Sequence, residues 1–186
     1  MSDTRVLIAG GGIGGLAMAL TLHQIGVPCI VFESAREMRP LGVGINLQPN
    51  AVRELFDLGL KDHLERIGVR TKMLGFYSKF GKTIWEEPRG MDAGYVWPQY
   101  SVHRGELQVM LHDVLTERAG MGCIVTGMRA VGFENTEIGA DLLLENGERV
   151  VGGMVIAADH LKSTFGAVAA ASGFTASKDA LISASL

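Results

Sequence analysis

Three glycines and one carboxylate carry the first chemistry that can be read in this chain. Gly10, Gly12 and Gly15 fit a G-x-G-x-x-G pattern, and Glu33 stands 18 residues after Gly15. Glycines without a Cβ let backbone N–H groups come close to an anion, and a carboxylate accepts hydrogen bonds from sugar hydroxyls. The spacing describes a cradle for the pyrophosphate and ribose of a dinucleotide. Ile13 and Gly14 complete the turn where a helix would begin, so their N–H groups join the candidate set. The pattern does not separate NAD from FAD.

Such a cradle works only if the elements around it are right. Arg5 to Ala9 is a short apolar run, the type of parallel strand buried on both faces. Gly10 allows a tight turn out of it, Gly12 a close approach of phosphate, and Gly15 tight packing of helix on sheet. A helix from about Gly12 to Ile25 would aim its N-terminal N–H groups and positive dipole end at the phosphates. Gly26 would end that helix. A second apolar strand, Pro28 to Phe32, would bring Glu33 to its C-terminal end. An ordinary glycine-rich turn is the competing explanation; it accounts for one or two of these glycines and leaves Glu33 unexplained.

Bulk properties narrow the field. The chain has 186 residues, enough for one domain with a proper core, and its 47% hydrophobic and 20% charged residues are ordinary globular values. A net charge of −3 argues against a nucleic-acid surface. Cys29 and Cys123 are far apart in apolar runs and read as core residues of a reduced, cytoplasmic protein. No apolar run approaches the ~18 residues that span a membrane, and the apolar stretch Ile13 to Leu22 belongs to the cofactor helix rather than to a signal peptide.

Further along, Ser34 to Asn50 reads as an extended loop, with Asn50 capping a helix to about Leu58 and a second short helix at Lys61 to Ile67. Val69 to Trp97 reads as strands and turns, with a hairpin turn at Phe80-Gly81-Lys82. Arg104 to Arg118 is an amphipathic helix with Leu107, Met110, Leu111, Val114 and Leu115 on one face. Cys123 to Phe133 reads as one strand, and Asn146-Gly147 marks a hairpin turn. Met154 to Ala158 is a last apolar strand that brings Asp159 to a sheet edge. From Ser163 to Leu186 the sequence holds seven Ala and five Ser and reads as a weak helix or disorder.

At the level of motifs the chain resembles the N-terminal half of class A flavoprotein monooxygenases, the para-hydroxybenzoate-hydroxylase-like enzymes. The glycine fingerprint with Glu33 carries the likeness. So do Gly42-Val-Gly-Ile-Asn-Leu-Gln-Pro-Asn-Ala and Ser101-Val-His-Arg-Gly-Glu-Leu-Gln. The run Glu87-Pro-Arg-Gly, followed by Pro98-Gln-Tyr-Ser-Val-His-Arg, looks most like the phenazine-modifying members. The resemblance implies FAD as the held cofactor. Gly10, Gly12 and Gly15 would hold its pyrophosphate and Glu33 its adenosine ribose. Arg104 would lie near the pyrophosphate, and the loop from Gly42 through Gly44 to Ile45 would pass the flavin ring. Arg36 and Arg39 are further candidates for facing the cofactor, equally well read as solvated loop charges. Asp159 and Ser163 match the family's Gly-Ala-Asp-Gly-x-x-Ser-x-Val-Arg segment, whereas His160 replaces a glycine and Gly166 the arginine.

The implied fold is α/β, a Rossmann-like FAD-binding βαβ domain with added antiparallel β-strands, truncated relative to the family. Residues 1–163 would be the FAD-binding domain, incomplete, and 164–186 the Ala/Ser-rich tail. The implied activity is hydroxylation of a small aromatic substrate with NADPH or NADH and O₂. In such enzymes the cofactor carries the chemistry, so no side chain is assigned as catalytic. His23, His63, His103, His112 and His160 lack metal-ligand spacing and read as surface or capping residues. Two other readings stay open: a non-catalytic remnant or partner-dependent subunit, and an NAD(P)-dependent reductase. Whether the protein is a homo-oligomer is also open.

Overall fold

The computed structural model describes residues 5–158. In chain order the elements are β1 (Val6–Ala9), α1 (Ile13–Gln24), β2 (Cys29–Glu33), β3 (Gly44–Leu47), α2 (Pro49–Asp57), α3 (Lys61–Ile67), β4 (Gly68–Thr71) and β5 (Met73–Tyr77). They continue with β6 (Thr83–Pro88), β7 (Gln99–His103), α4 (Arg104–Ala119), β8 (Ile124–Thr126), β9 (Ala130–Thr136), β10 (Gly139–Leu144), β11 (Arg149–Gly152) and β12 (Met154–Ala157). Asp159 and the Ala/Ser-rich segment lie outside the described residues. Two compact units emerge: one holds residues 5–39 and 108–158, the other residues 40–107.

The first unit is built on a parallel sheet in the order β12-β1-β2-β8. Val6 pairs with Cys29 on one side and Met154 on the other. All four residues of β1 are buried, as a central parallel strand requires. Side chains alternate across a strand. Leu7 and Ala9 therefore share one face, and there, with Phe32, they pack on Leu142 and Leu144 of β10. That strand belongs to a second, antiparallel sheet in the order β11-β10-β9. Helix α1 buries Gly15, Leu16, Ala19 and Leu20, a stripe at helical spacing. Each fully buried leucine contributes about 1.5–3 kcal/mol relative to exposure, so these few contacts anchor the layers.

The second unit centres on an antiparallel sheet, β3-β7-β4. Gly44 pairs with His103 and Ile45 with Val102. Leu47, Val52, Leu55, Leu60, Leu64 and Tyr100 are its main buried side chains. The Tyr100 hydroxyl accepts a hydrogen bond from Arg70 Nε at 2.9 Å, which satisfies its polar end. Strands β5 and β6 form a separate hairpin with its turn where Phe80-Gly81-Lys82 predicts it.

Three expectations change at the level of elements. Cys123 to Phe133 is not one strand. It divides into β8 and β9, which belong to different sheets, because Gly127 adopts φ +71° and turns the chain between them. The loop after Glu33 contains a strand, β3, which Gly42 before it and Gly44 at its start conceal in the sequence. Asn50 does not cap α2: the helix starts two residues earlier than that cap implies, at Pro49, with Gln48 at the cap position. A proline there needs no N–H partner and has its φ already set for the helix.

Candidate functional site

The glycine turn in the first unit is held from several sides. Chain direction reverses out of β1 at Gly10, whose φ of +115° favours glycine, and Gly10 N–H donates to the Phe32 carbonyl at 2.8 Å. A Cβ on Gly15 would land 2.0 Å from the Gly10 carbonyl oxygen, so only glycine lets α1 pack this closely on the turn. Around Gly12 the situation is opposite: among the described residues, a Cβ there would meet no atom within 4 Å. The tightness at Gly15 is internal to the fold, whereas the space at Gly12 is open to a ligand.

Helix α1 begins at that open space. Its cap residue, Gly12, has no side chain to cap the first turn, and the first turn carries no acidic residue. No helix carbonyl can reach the first N–H groups of a helix. Those of Ile13 and Gly14 therefore stand at the positive end of the helix dipole with no side-chain cap from the described residues. An anion is the partner that this arrangement suits.

Glu33 ends β2, half-buried beside the turn. One carboxylate oxygen accepts Gly11 N–H at 2.7 Å; the other accepts Ala35 N–H at 2.7 Å and the Ser34 hydroxyl at 3.0 Å. A carboxylate offers about four lone-pair sites, so these donors orient the group and leave capacity for a ligand hydroxyl. The sequence suggests only the outward role. The structure adds an inward one, in which Glu33 fixes the backbone of the turn it serves.

Opposite Glu33, Gln108 of α4 donates from Nε2 to the Gly11 carbonyl at 2.8 Å and approaches Met38 Sδ at 3.5 Å. A Cβ on Gly11 would sit 2.7 Å from Met38 Cε and 3.0 Å from Glu33, so those two side chains leave no room for one. Neither Gln108 nor Gly11 emerges from the sequence as a site residue. The available signal was positional: Gln108 lies four residues after Arg104, on the same helix face.

In the second unit, Gly44 lies in β3 opposite His103. His103 uses both ring nitrogens: Nδ1 accepts the Glu106 N–H at 3.4 Å and Nε2 lies 3.1 Å from the Gly42 carbonyl, to which it donates in that tautomer. This is a cap on α4, as expected for a histidine without metal-ligand spacing. Arg104 N–H donates to the Val43 carbonyl at 3.0 Å, and the Arg104 stem packs beside Gly42. The Arg104 side chain is exposed and makes no ion pair with another described residue. A cation in a helix's first turn opposes the dipole unless an anion is near.

Other candidates are accounted for locally. Arg39 pairs with Glu37 at 2.7 Å on the surface. Arg36 is exposed, with its stem against Gly127. Burial pushes the Cys29 thiol above the usual range, with the neighbouring Cys123 adding to the shift, and burial does the same to Cys123. Among the described residues no three His, Cys, Asp or Glu side chains gather as metal ligands. No helix among them is long and apolar enough to cross a membrane.

A strand, a glycine turn, an uncapped helix and a terminal carboxylate, joined as one parallel βαβ unit, define a dinucleotide-binding fold. The comparisons specify which one. Residues 3–184 match the family of FAD binding domains. A phenazine 1,6-dicarboxylic acid hydroxylase, PhzS, from Lysobacter antibioticus is 48% identical over 139 residues, covering 74% of this chain and 34% of that protein. The tetrameric form of 2-methyl-3-hydroxypyridine-5-carboxylic acid oxygenase superimposes with a TM-score of 0.73 at 26% identity, over 89% of this chain and 42% of that one. Klebsiella pneumoniae HpxO, complexed with FAD and uric acid, gives 0.69 at 25% identity, over 84% of this chain and 39% of that one. The chain belongs to the FAD-binding domain family of the class A flavin monooxygenases. It spans about a third to two fifths of the length of these relatives.

Proposed function

We propose that this chain is the FAD-binding portion of a flavin-dependent monooxygenase that hydroxylates a small aromatic substrate with NADPH or NADH and O₂. The observation that supports this reading most is the uncapped start of α1 at an open glycine, beside an oriented carboxylate. The residues present fit FAD: the N–H groups at Gly12, Ile13 and Gly14 suit its pyrophosphate, and Glu33 suits a ribose hydroxyl. Gly10 and Gly15 shape the turn. Gly44, Arg104 and Asp159 join the set through the family resemblance. FAD, when bound, supplies the redox chemistry; the chain's own residues bind and orient it, and no side chain is given a covalent role. Residues 1–163 form the binding domain in this reading, with 164–186 as a tail, in a cytoplasmic protein.

The test is the absorbance spectrum and mass of the purified chain, with nicotinamide oxidation followed in parallel. Flavin absorbance at one equivalent per chain is the expected result. A colourless chain that binds NADH would favour a reductase instead.

One observation favours a second reading, that of a partner-dependent subunit or remnant. The β5–β6 hairpin exposes Phe76, Phe80, Ile84 and Trp85 to solvent at 54%, 86%, 69% and 43%. An exposed apolar cluster of this kind marks a surface that packs on something. Under this reading the chain alone holds flavin and oxidises no aromatic substrate.

A further inference from the structure

Gly11 is held at both ends of its backbone, and this has a consequence for its neighbour. Its N–H goes to Glu33 Oε2 at 2.7 Å, and its carbonyl receives Gln108 Nε2 at 2.8 Å. The Gly11–Gly12 peptide is planar and trans, like every described peptide. In such a unit the carbonyl and the following N–H point in opposite directions. Drawing the Gly11 carbonyl toward Gln108 therefore aims the Gly12 N–H away from it, on the residue around which a Cβ would meet no described atom within 4 Å. Glycine peptides turn over easily because both flanking residues lack the Cβ that restricts φ and ψ. A run of three glycines, Gly10 to Gly12, is where an external clamp matters most.

We infer that Gln108 is a positioning residue for the pyrophosphate of the bound dinucleotide. Its amide fixes the Gly11–Gly12 peptide plane so that the Gly12 N–H is presented to phosphate oxygens before the ligand arrives. Gln108 itself touches no phosphate in this scheme. Met38, against Gln108 Nε2 and beside Gly11, keeps the amide turned toward the carbonyl. The inference rests on the reading of the glycine turn as the FAD site and assigns that site a residue of α4 that supplies orientation instead of contact. A preformed donor lowers the ordering cost that binding would otherwise carry.

The experiment uses the full chain, labelled with ¹⁵N and ¹³C, with Gln108→Leu and Gln108→Lys variants. Leucine removes the donor and keeps the bulk; lysine restores an N–H donor. FAD affinity is measured by titration, and the Gly11 carbonyl and Gly12 amide resonances are recorded without FAD. Gln108→Leu is expected to weaken FAD by about tenfold, the scale of one lost hydrogen bond. It should also shift both resonances and leave the melting temperature within a few degrees of the parent. Gln108→Lys should recover most of both effects. Wild-type affinity in Gln108→Leu would overturn the inference. So would equal loss in both variants with shifts spread through α1 and α4, which would mean that Gln108 only packs the helix. If the parent chain takes up no FAD, the proposed function fails. The apo resonances then decide the present point: unmoved Gly11 and Gly12 signals in Gln108→Leu would refute it.

Discussion

Residue by residue, the glycine turn separates two reasons for lacking a side chain. At Gly15 the reason is internal: a Cβ would overlap the Gly10 carbonyl oxygen at 2.0 Å. At Gly12 the described residues give no internal reason, since none of their atoms lies within 4 Å of the added atom. The two alanine variants should therefore fail differently. Gly15→Ala should cost about 1–3 kcal/mol by overpacking, seen as a lower urea midpoint. Gly12→Ala should melt within a few degrees of the parent and lose at least tenfold in FAD affinity by titration. If Gly12→Ala binds FAD as well as the parent, the open space is not the phosphate site. Both glycines stand out in the sequence as members of one pattern; the difference between them is visible only when Gly10, five residues before Gly15, is folded back onto the helix.

Among the elements, the strands and helices that carry the turn follow closely from local pattern. The apolar run before Gly10 is β1, the leucine and alanine stripe after Gly12 is α1, and the leucine face from Leu107 to Leu115 is the buried side of α4. What local pattern missed was the division of Cys123 to Phe133, because the mostly apolar residues on either side of Gly127 read as one continuous run. The cysteines beside that division give a prediction with a pH sign. Burial raises both thiols, so the folded chain holds them protonated while the unfolded chain ionises at the ordinary value. The unfolded state then binds fewer protons above that ordinary value, and stability should fall as pH rises from there toward the raised folded values. The contribution is fully present below the ordinary thiol pKa. Urea midpoints measured on either side of it check the sign, and a Cys29→Ser, Cys123→Ser chain should show a flatter profile. Alkylation of the native chain at neutral pH should be slow for the same reason.

At the scale of the molecule, the first unit depends on contact between two sheets that are remote in sequence. Leu142 of β10 is fully buried against Leu7, Ala9 and Phe32. Leu142→Ala should cost about 2–5 kcal/mol, enough to approach the whole stability of a small domain. Thermal melting followed by circular dichroism measures it, and FAD loss should track the melt because the turn is an extension of β1. The hairpin of the second unit behaves in the opposite way. Phe76 and Trp85 lie against each other at 5.9 Å between ring centres yet remain exposed. Replacing both with Ser should barely change the melt and should reduce self-association in light scattering. An unchanged scattering profile would argue that this surface does not make the chain sticky.

The sequence by itself determined the class of fold, the dinucleotide turn and the family. The fold class and the turn depend on spacing within about thirty residues, where strand and helix geometry leave little freedom: a strand, a turn and a helix of these lengths bring Glu33 back beside Gly11 almost regardless of the rest; the family rests besides on the runs from Gly42 to Ala51 and from Ser101 to Gln108. Only the tertiary structure decided how the turn is held. Gln108 is 97 residues from Gly11, and Leu142 lies still further from Leu7. No periodicity links such pairs, because a hydrogen-bond clamp or a sheet-to-sheet contact depends on where whole elements pack and leaves no mark on either local sequence.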